Sequence, residues 1–239
     1  MSQGARPMFN RDAEDPLMYL PRKSVVEYKR GQIIFDQDQR SNGLHLIVRG
    51  RVKVSIPLGD GAHTVVDIFS TDQFFGESGI LELPYRGERA VALDSTSLMS
   101  WTTAEIEAQV DRQPRLGVAL IQMLVERCVD FEERLQTFAL EKTPQRVARS
   151  LLRFSDRLGV REPDGSVRIP PLTHQLISEY VGTSREIVTF QMNHLRQLGF
   201  IEYSRRAIHV RPEALREYLS SEARRQMAAG GGASLGARL

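Results

Sequence analysis

The hydrophobic period of this chain changes near residue 102, from about two residues to about 3.6, which constrains it to an antiparallel β unit followed by helices. Between residues 24 and 101, β-branched runs (Ser24–Tyr28, Gln32–Phe35, Leu44–Val48, Val52–Ile56, Thr64–Phe69, Arg89–Leu93 and Ser97–Trp101) alternate with turn residues such as Gly31, Asn42, Gly43, Gly50 and Gly59. Runs of that length and spacing predict a sandwich or barrel. Thr102 and Glu105 have the spacing of a capping box, so a short helix is expected from about Thr103 to just before Pro114. From Pro114 to about Leu140 no proline intervenes and no glycine follows Gly117, while Leu120, Leu124, Cys128, Phe131, Leu135 and Phe138 recur every three or four residues. Ile121, Val125 and Val129 make a second stripe beside the first. One stripe suffices to pack a helix on a barrel. A second one makes a parallel copy of the same helix the simplest partner, a helix spent wholly inside its own chain being the alternative.

Helix restarts at Thr143 and Pro144, a capping residue and a first-turn proline, and is expected to end near Leu158 and Gly159. The hinge between domains is placed at Lys142–Pro144. A turn at Pro163–Gly165 comes next, then helices over 173–181 and 185–198, small strands over Phe200–Tyr203 and Ala207–Val210, and a last helix from about Pro212. The glycine-rich end, from residue 229, is expected to be disordered.

The two helices flanking Gly182 have helix-turn-helix spacing. Ile177, Val181, Ile187, Val188, Met192 and Leu195 supply apolar contacts, Ser178 permits close approach and Gly182 accommodates the turn. Ser184 caps the second helix, whose N-terminus can also meet a phosphate. Arg185, Glu186, Thr189 and Phe190 fall on its outward face. An arginine there can donate to guanine O6 and N7, and a glutamate can accept from cytosine N4. Arg205 and Arg206 lie at the tip of the next hairpin, where a wing could grip phosphate.

Charge agrees with this placement. Residues 1–141 carry 16 Lys and Arg against 21 Asp and Glu, whereas residues 142–239 carry 16 against 9, so the basic excess lies in the half with the helix-turn-helix. With 41% apolar residues the chain is not intrinsically disordered, and its single cysteine excludes a disulfide scaffold or a multi-thiolate metal cage. No apolar run approaches the roughly 20 residues that cross a bilayer, and a cytoplasmic protein is expected. The five histidines show no clustering suited to metal catalysis and no nucleophile–base order is persuasive, so no enzyme activity and no metal are expected.

From about Leu20 to Arg211 the chain resembles the cyclic-AMP receptor protein and fumarate–nitrate regulator (CRP/FNR) family of bacterial transcription factors; the run Gly182 to Val188 is similar to the start of that family's recognition helix. The resemblance implies an α+β fold: an arm over 1–19, an antiparallel β-roll of the cyclic-nucleotide-binding kind over 20–113, a long dimerisation helix over 114–141, a winged helix-turn-helix over 142–228 and a tail over 229–239. It implies a homodimer that binds a two-fold-symmetric double-stranded DNA operator and contacts RNA polymerase, with no membrane partner. Arg185 and Glu186 match the family's guanine- and cytosine-reading pair, and Thr173, Ser184 and Ile187 fall where backbone contacts are made, with His174, Thr189, Arg205 and Arg206 around them. Phe190 stands where the family often has arginine; a phenyl ring packs on a thymine methyl instead of donating to a base edge. Leu120, Leu124, Cys128, Phe131, Leu135 and Phe138 are the expected dimer contacts.

Phe74 to Ser78 followed by Arg89 to Ala92 resembles the phosphate-binding cassette of cyclic-nucleotide domains. Gly76 and Ser78 would present backbone N–H groups, Arg89 the counter-charge, Glu77 an acceptor for a ribose hydroxyl, with Ala90 beside them and Phe131 and Glu132 at the base. Three departures bear on the ligand: Ala90 replaces a common Ser or Thr, the interval from Glu77 to Arg89 is two residues longer than in the bacterial receptor, and Phe131 and Glu132 replace two hydroxyls that hold adenine. A cyclic nucleotide, another small ligand and no ligand, with Arg89 paired to Glu77, all stay open. The cluster-binding cysteines of the redox branch are missing, so no iron–sulfur cluster is expected. Cys128 reads as a packed thiol, and His45 and His63 are the candidate ligands for a haem.

Overall fold

The period-two runs form strands β1 Val26–Tyr28, β2 Ile33–Phe35, β3 Leu44–Arg49, β4 Arg51–Pro57 and β5 His63–Ser70, then β6 Phe74–Phe75, β7 Arg89–Ala92 and β8 Thr96–Trp101. The computed structural model describes residues 14–40, 43–59 and 61–231, and places these strands in two four-stranded antiparallel sheets ordered β1-β8-β3-β6 and β2-β7-β4-β5. Phe35, Ile47, Val52, Val54, Phe69, Phe75, Ala90 and Leu98 fill the space they enclose. Alternation along β7 buries Ala90 completely in this core and leaves Arg89 half-buried at its edge. Residues 14–21 are tied to the same unit, since Trp101 Nε1 donates to Pro21 O at 2.9 Å and Gln109 Nε2 to Tyr19 O at 2.6 Å.

Helix α1, Thr103–Arg112, starts on the expected capping box: the Glu105 N–H donates to Thr102 Oγ1 and the Thr102 N–H to Glu105 Oε2. Helix α2 runs Arg115–Leu140, and its Leu116 and Leu120 join Leu20, Leu44, Leu46, Phe74, Trp101 and Ile106 in a second core. Leu120 is therefore enclosed in its own chain, which corrects its assignment to a dimer face. The exposed stripe is Val118, Ile121, Val125, Cys128 and Leu135, at the intervals of a heptad seam with Glu132 in the remaining position. Cys128 is accordingly exposed, not packed.

The chain divides after Leu135, inside α2 and before the expected hinge. The reason lies in Phe138: a Cβ added at Gly182 would stand 3.1 Å from its ring, and Arg146 lies 4.9 Å over it, so the last turns of α2 pack within the second unit. That unit continues with α3 Thr143–Leu158, β9 Val160–Arg161, β10 Val167–Ile169, α4 His174–Val181, α5 Arg185–Gln197, β11 Ile201–Tyr203, β12 Ile208–Val210 and α6 Pro212–Gly231. The cap of α3 is Lys142, whose N–H donates to Gln145 Oε1, and Thr143 is already helical, a shift of one residue from expectation. The four strands form an antiparallel sheet ordered β11-β12-β10-β9. Val147, Leu151, Ile169, Ile177, Val188, Met192, Ile201, Val210 and Leu215 are buried in this unit. Ile187 is 43% exposed and so is not one of the contacts that join α4 to α5. Helix α6 runs as far as Gly231, three residues into the expected tail; residues 232–239 and 1–13 lie outside the described residues. Among the described residues no helix is long and apolar enough to cross a membrane.

Candidate nucleic-acid interface and effector pocket

Helix α5 is held at both ends and along one side. Ser184 Oγ accepts from the Ile187 N–H at 3.3 Å, and Thr173 Oγ1 caps α4 by accepting from the Leu176 N–H at 3.1 Å. Gly182 takes a left-handed φ of 71° between the two helices, a conformation strained for other residues. Tyr203, on β11, donates to Asn193 Oδ1 at 2.8 Å and packs edge-on against His174, bracing the third turn of α5. The sequence pattern signals neither Tyr203 nor Asn193, because the pairing depends on how the hairpin folds back. His174 Nδ1 lies 2.9 Å from Thr189 Oγ1, which itself donates to Arg185 O; Nδ1 of the imidazole is therefore the donor. Burial, then Arg185, lowers the pKa of His174.

Outward from this frame stand Arg185, Glu186, Ile187 and Phe190, the last 69% exposed, with the partly covered Thr189 between them. Backbone and Ser184 hydrogen bonds hold the Glu186 carboxyl below the usual carboxylate range, so it stays an acceptor. Arg205 and Arg206 are exposed at the tip of the β11–β12 hairpin, closed by the Ser204 N–H donating to Ala207 O.

In the β-roll, Gly76 has φ 79° and begins a tight turn over Glu77–Leu81. The guanidinium beside it is that of Arg86, not Arg89. Arg86 is 3% exposed, lies 3.8 Å over the Phe35 ring, and donates to Ser78 Oγ at 3.3 Å. Arg89 instead donates twice to Asp36 at 2.8 Å, and Glu77 pairs with Arg127 of α2, which corrects both sequence readings of Arg89. Spacing in the sequence does not single out Arg86: counted to it, the interval from Glu77 is one residue shorter than in the bacterial receptor, as against two longer when counted to Arg89. Glu88, which the motif does not single out, accepts from Ser78 Oγ at 2.7 Å and stands 3.6 Å from Arg86 Nη1; burial raises its pKa. His45 stacks on Phe35 and Phe75 with Nδ1 2.7 Å from Ser100 Oγ, and burial, aided by Arg86, pushes its pKa down to about 4. Phe131 and Glu132 are exposed on α2.

A sequence model of the cyclic nucleotide-binding domain matches residues 25–113, and one of the Crp-like helix-turn-helix domain matches residues 145–218. The chain belongs to the CRP/FNR family. It is a transcriptional regulator of that type, with a DNA-binding helix-turn-helix in its second unit. It is 25% identical over 184 residues to a CRP-like cAMP-activated global transcriptional regulator of Mycobacterium tuberculosis, covering 77% of this chain and 82% of that one. A global nitrogen regulator of Synechocystis is 28% identical over 190 residues, with 78% and 84% covered. Among solved structures, FixK2 from Bradyrhizobium japonicum shares the fold with a TM-score of 0.72 and 21% identity over 81% of this chain and 96% of that one.

The family domain implies a cyclic nucleotide, and the cations nearest the turn that would meet its phosphate already face carboxylates. Arg127 faces Glu77, Arg89 faces Asp36 and Arg86 faces Glu88, so each of the three cations is already matched by a carboxylate.

Proposed function

We propose that this CRP/FNR regulator acts in the cytoplasm as a homodimer paired along the Val118, Ile121, Val125, Cys128 and Leu135 stripe of α2, with Leu124, Phe131 and Phe138 at its margins. Each copy lays α5 in a major groove of a two-fold-symmetric operator, and the bound dimer contacts RNA polymerase. The observation that carries the reading is the outward face of α5, where an exposed arginine and an ionised glutamate stand in the same unit as an exposed basic hairpin tip. Arg185 donates to guanine, Glu186 accepts from cytosine, and Phe190 covers a thymine methyl. Thr173, Ser184, Arg205 and Arg206 donate to phosphates, which fixes register without specifying sequence, Ile187 packs beside the nucleic-acid backbone, and His174 and Thr189, bonded to each other, steady the start of α5.

Arg185→Ala is expected to cost about 1–3 kcal/mol at one base pair per half-site, whereas Arg205→Ala weakens all duplexes alike and lowers the salt slope by about one. Titration of both variants against operator and scrambled duplexes at several salt concentrations checks this. Equal losses on both duplexes for Arg185→Ala would refute its base-reading role.

A further inference from the structure

We infer that Glu88 is a built-in occupant of the anion seat in the β-roll, holding the place that a nucleotide phosphate would need. The inference names the regulation of the regulator proposed above and rests on the β-roll being its control unit. The seat is made of three parts. Gly76 turns left-handed with no room for a side chain, since an added Cβ would stand 2.9 Å from His45 Cδ2 and 3.3 Å from Phe35 Cε1. Ser78 presents a hydroxyl, and Arg86 a guanidinium whose side chain is 1% exposed. Into this seat the chain places the Glu88 carboxylate, which takes the Ser78 hydrogen bond at 2.7 Å and faces Arg86 Nη1 at 3.6 Å.

A buried guanidinium needs an anion, and removing one partner of such a pair leaves an uncompensated charge. Glu88 lies two residues from Arg86 and immediately before β7, so its carboxylate is tethered at the mouth of a strand and competes at a high effective concentration with any free ligand. An incoming phosphate would also meet Glu77 across the turn. Occupation is incomplete: Arg86 Nε is buried with no hydrogen-bond partner among the described residues, so an anion that displaced Glu88 would find donor capacity in reserve. The control unit thus has its counter-ion without an effector, and cyclic nucleotide is not required to complete it.

The test uses the full-length protein and its Glu88→Ala and Glu88→Gln variants. Thermal unfolding is followed by the fluorescence of Trp101, the one tryptophan of the chain, in chloride, acetate, inorganic phosphate and cyclic AMP at matched ionic strength. Glu88→Ala should melt below the parent in chloride and rise by about 3 °C or more when acetate, phosphate or cyclic AMP replaces chloride, while the parent moves little. Adding Arg86→Met should abolish the rescue. Equal anion shifts in parent and variant, or no shift in the variant with any of the three, would overturn the inference. Should Glu88→Ala fail to fold, Glu88→Gln, of nearly the same volume, is read by the same criteria. DNA binding by the same preparations separates the two readings. Anion rescue without operator binding would contradict the proposed regulator alone, and operator binding without rescue would contradict the Glu88 seat alone.

Discussion

His45 sets a pH limit on the β-roll. Its imidazole is held neutral by burial and by Arg86, with a folded pKa of about 4 against an ordinary value of 6.5. Between those values the unfolded chain binds a proton that the folded chain refuses, so stability is complete above pH 6.5 and falls as the pH drops toward 4. The loss reaches about 3 kcal/mol. Denaturant unfolding followed at Trp101 at pH 7 and pH 4.5 should show this loss, and His45→Gln should show a smaller one; identical pH dependences would exclude His45 as its source. The same residue marks what single positions conceal in sequence. As a letter in a strand His45 reads only as a candidate haem ligand, because nothing along the chain announces that Phe35 and Phe75 fold against it. Arg86 and Arg89 show the complementary problem. Two arginines three residues apart, Arg86 before β7 and Arg89 opening it, look alike as letters, and only the folded turn shows which guanidinium goes inward.

At the scale of elements, periodicity was the reliable signal and the choice between neighbouring stripes was not. Seven of the eight β-roll strands, α1 with its capping box and the α4–α5 pair all lie where alternation, caps and turn residues put them. The two-residue strand β6 is too short for a period to register. On α2, two apolar stripes run one residue apart, and helical spacing cannot say which faces the barrel; burial of Leu116, Ala119 and Leu120 decides it. That decision makes two substitutions behave oppositely. Leu120→Ala should destabilise the β-roll by about 2–5 kcal/mol while leaving the folded protein dimeric. Val125→Glu, on the exposed stripe, should barely change the unfolding of one chain and should shift sedimentation from dimer toward monomer. If Val125→Glu stayed fully dimeric at micromolar concentration, the α2 seam would not be the interface.

On the scale of the whole molecule, charge divides the work. The acidic first half carries the β-roll, where Arg86, Arg89 and Arg127 each face a carboxylate, and the basic second half carries the helix-turn-helix, an asymmetry of charge visible in the sequence before any element is assigned. Legibility ended at the effector, because motif similarity records which residue types are near one another and not whether a carboxylate already fills the space between them. The central claim is a two-fold regulator whose DNA-reading form needs no cyclic nucleotide. Selection of random duplex DNA by the purified protein, alone and with cyclic AMP or cyclic GMP, tests it most directly. The account predicts enrichment of one inverted repeat with a G/C-reading pair in each half, equally strong under all three conditions; enrichment only when a nucleotide is present, or no inverted repeat at all, would contradict it.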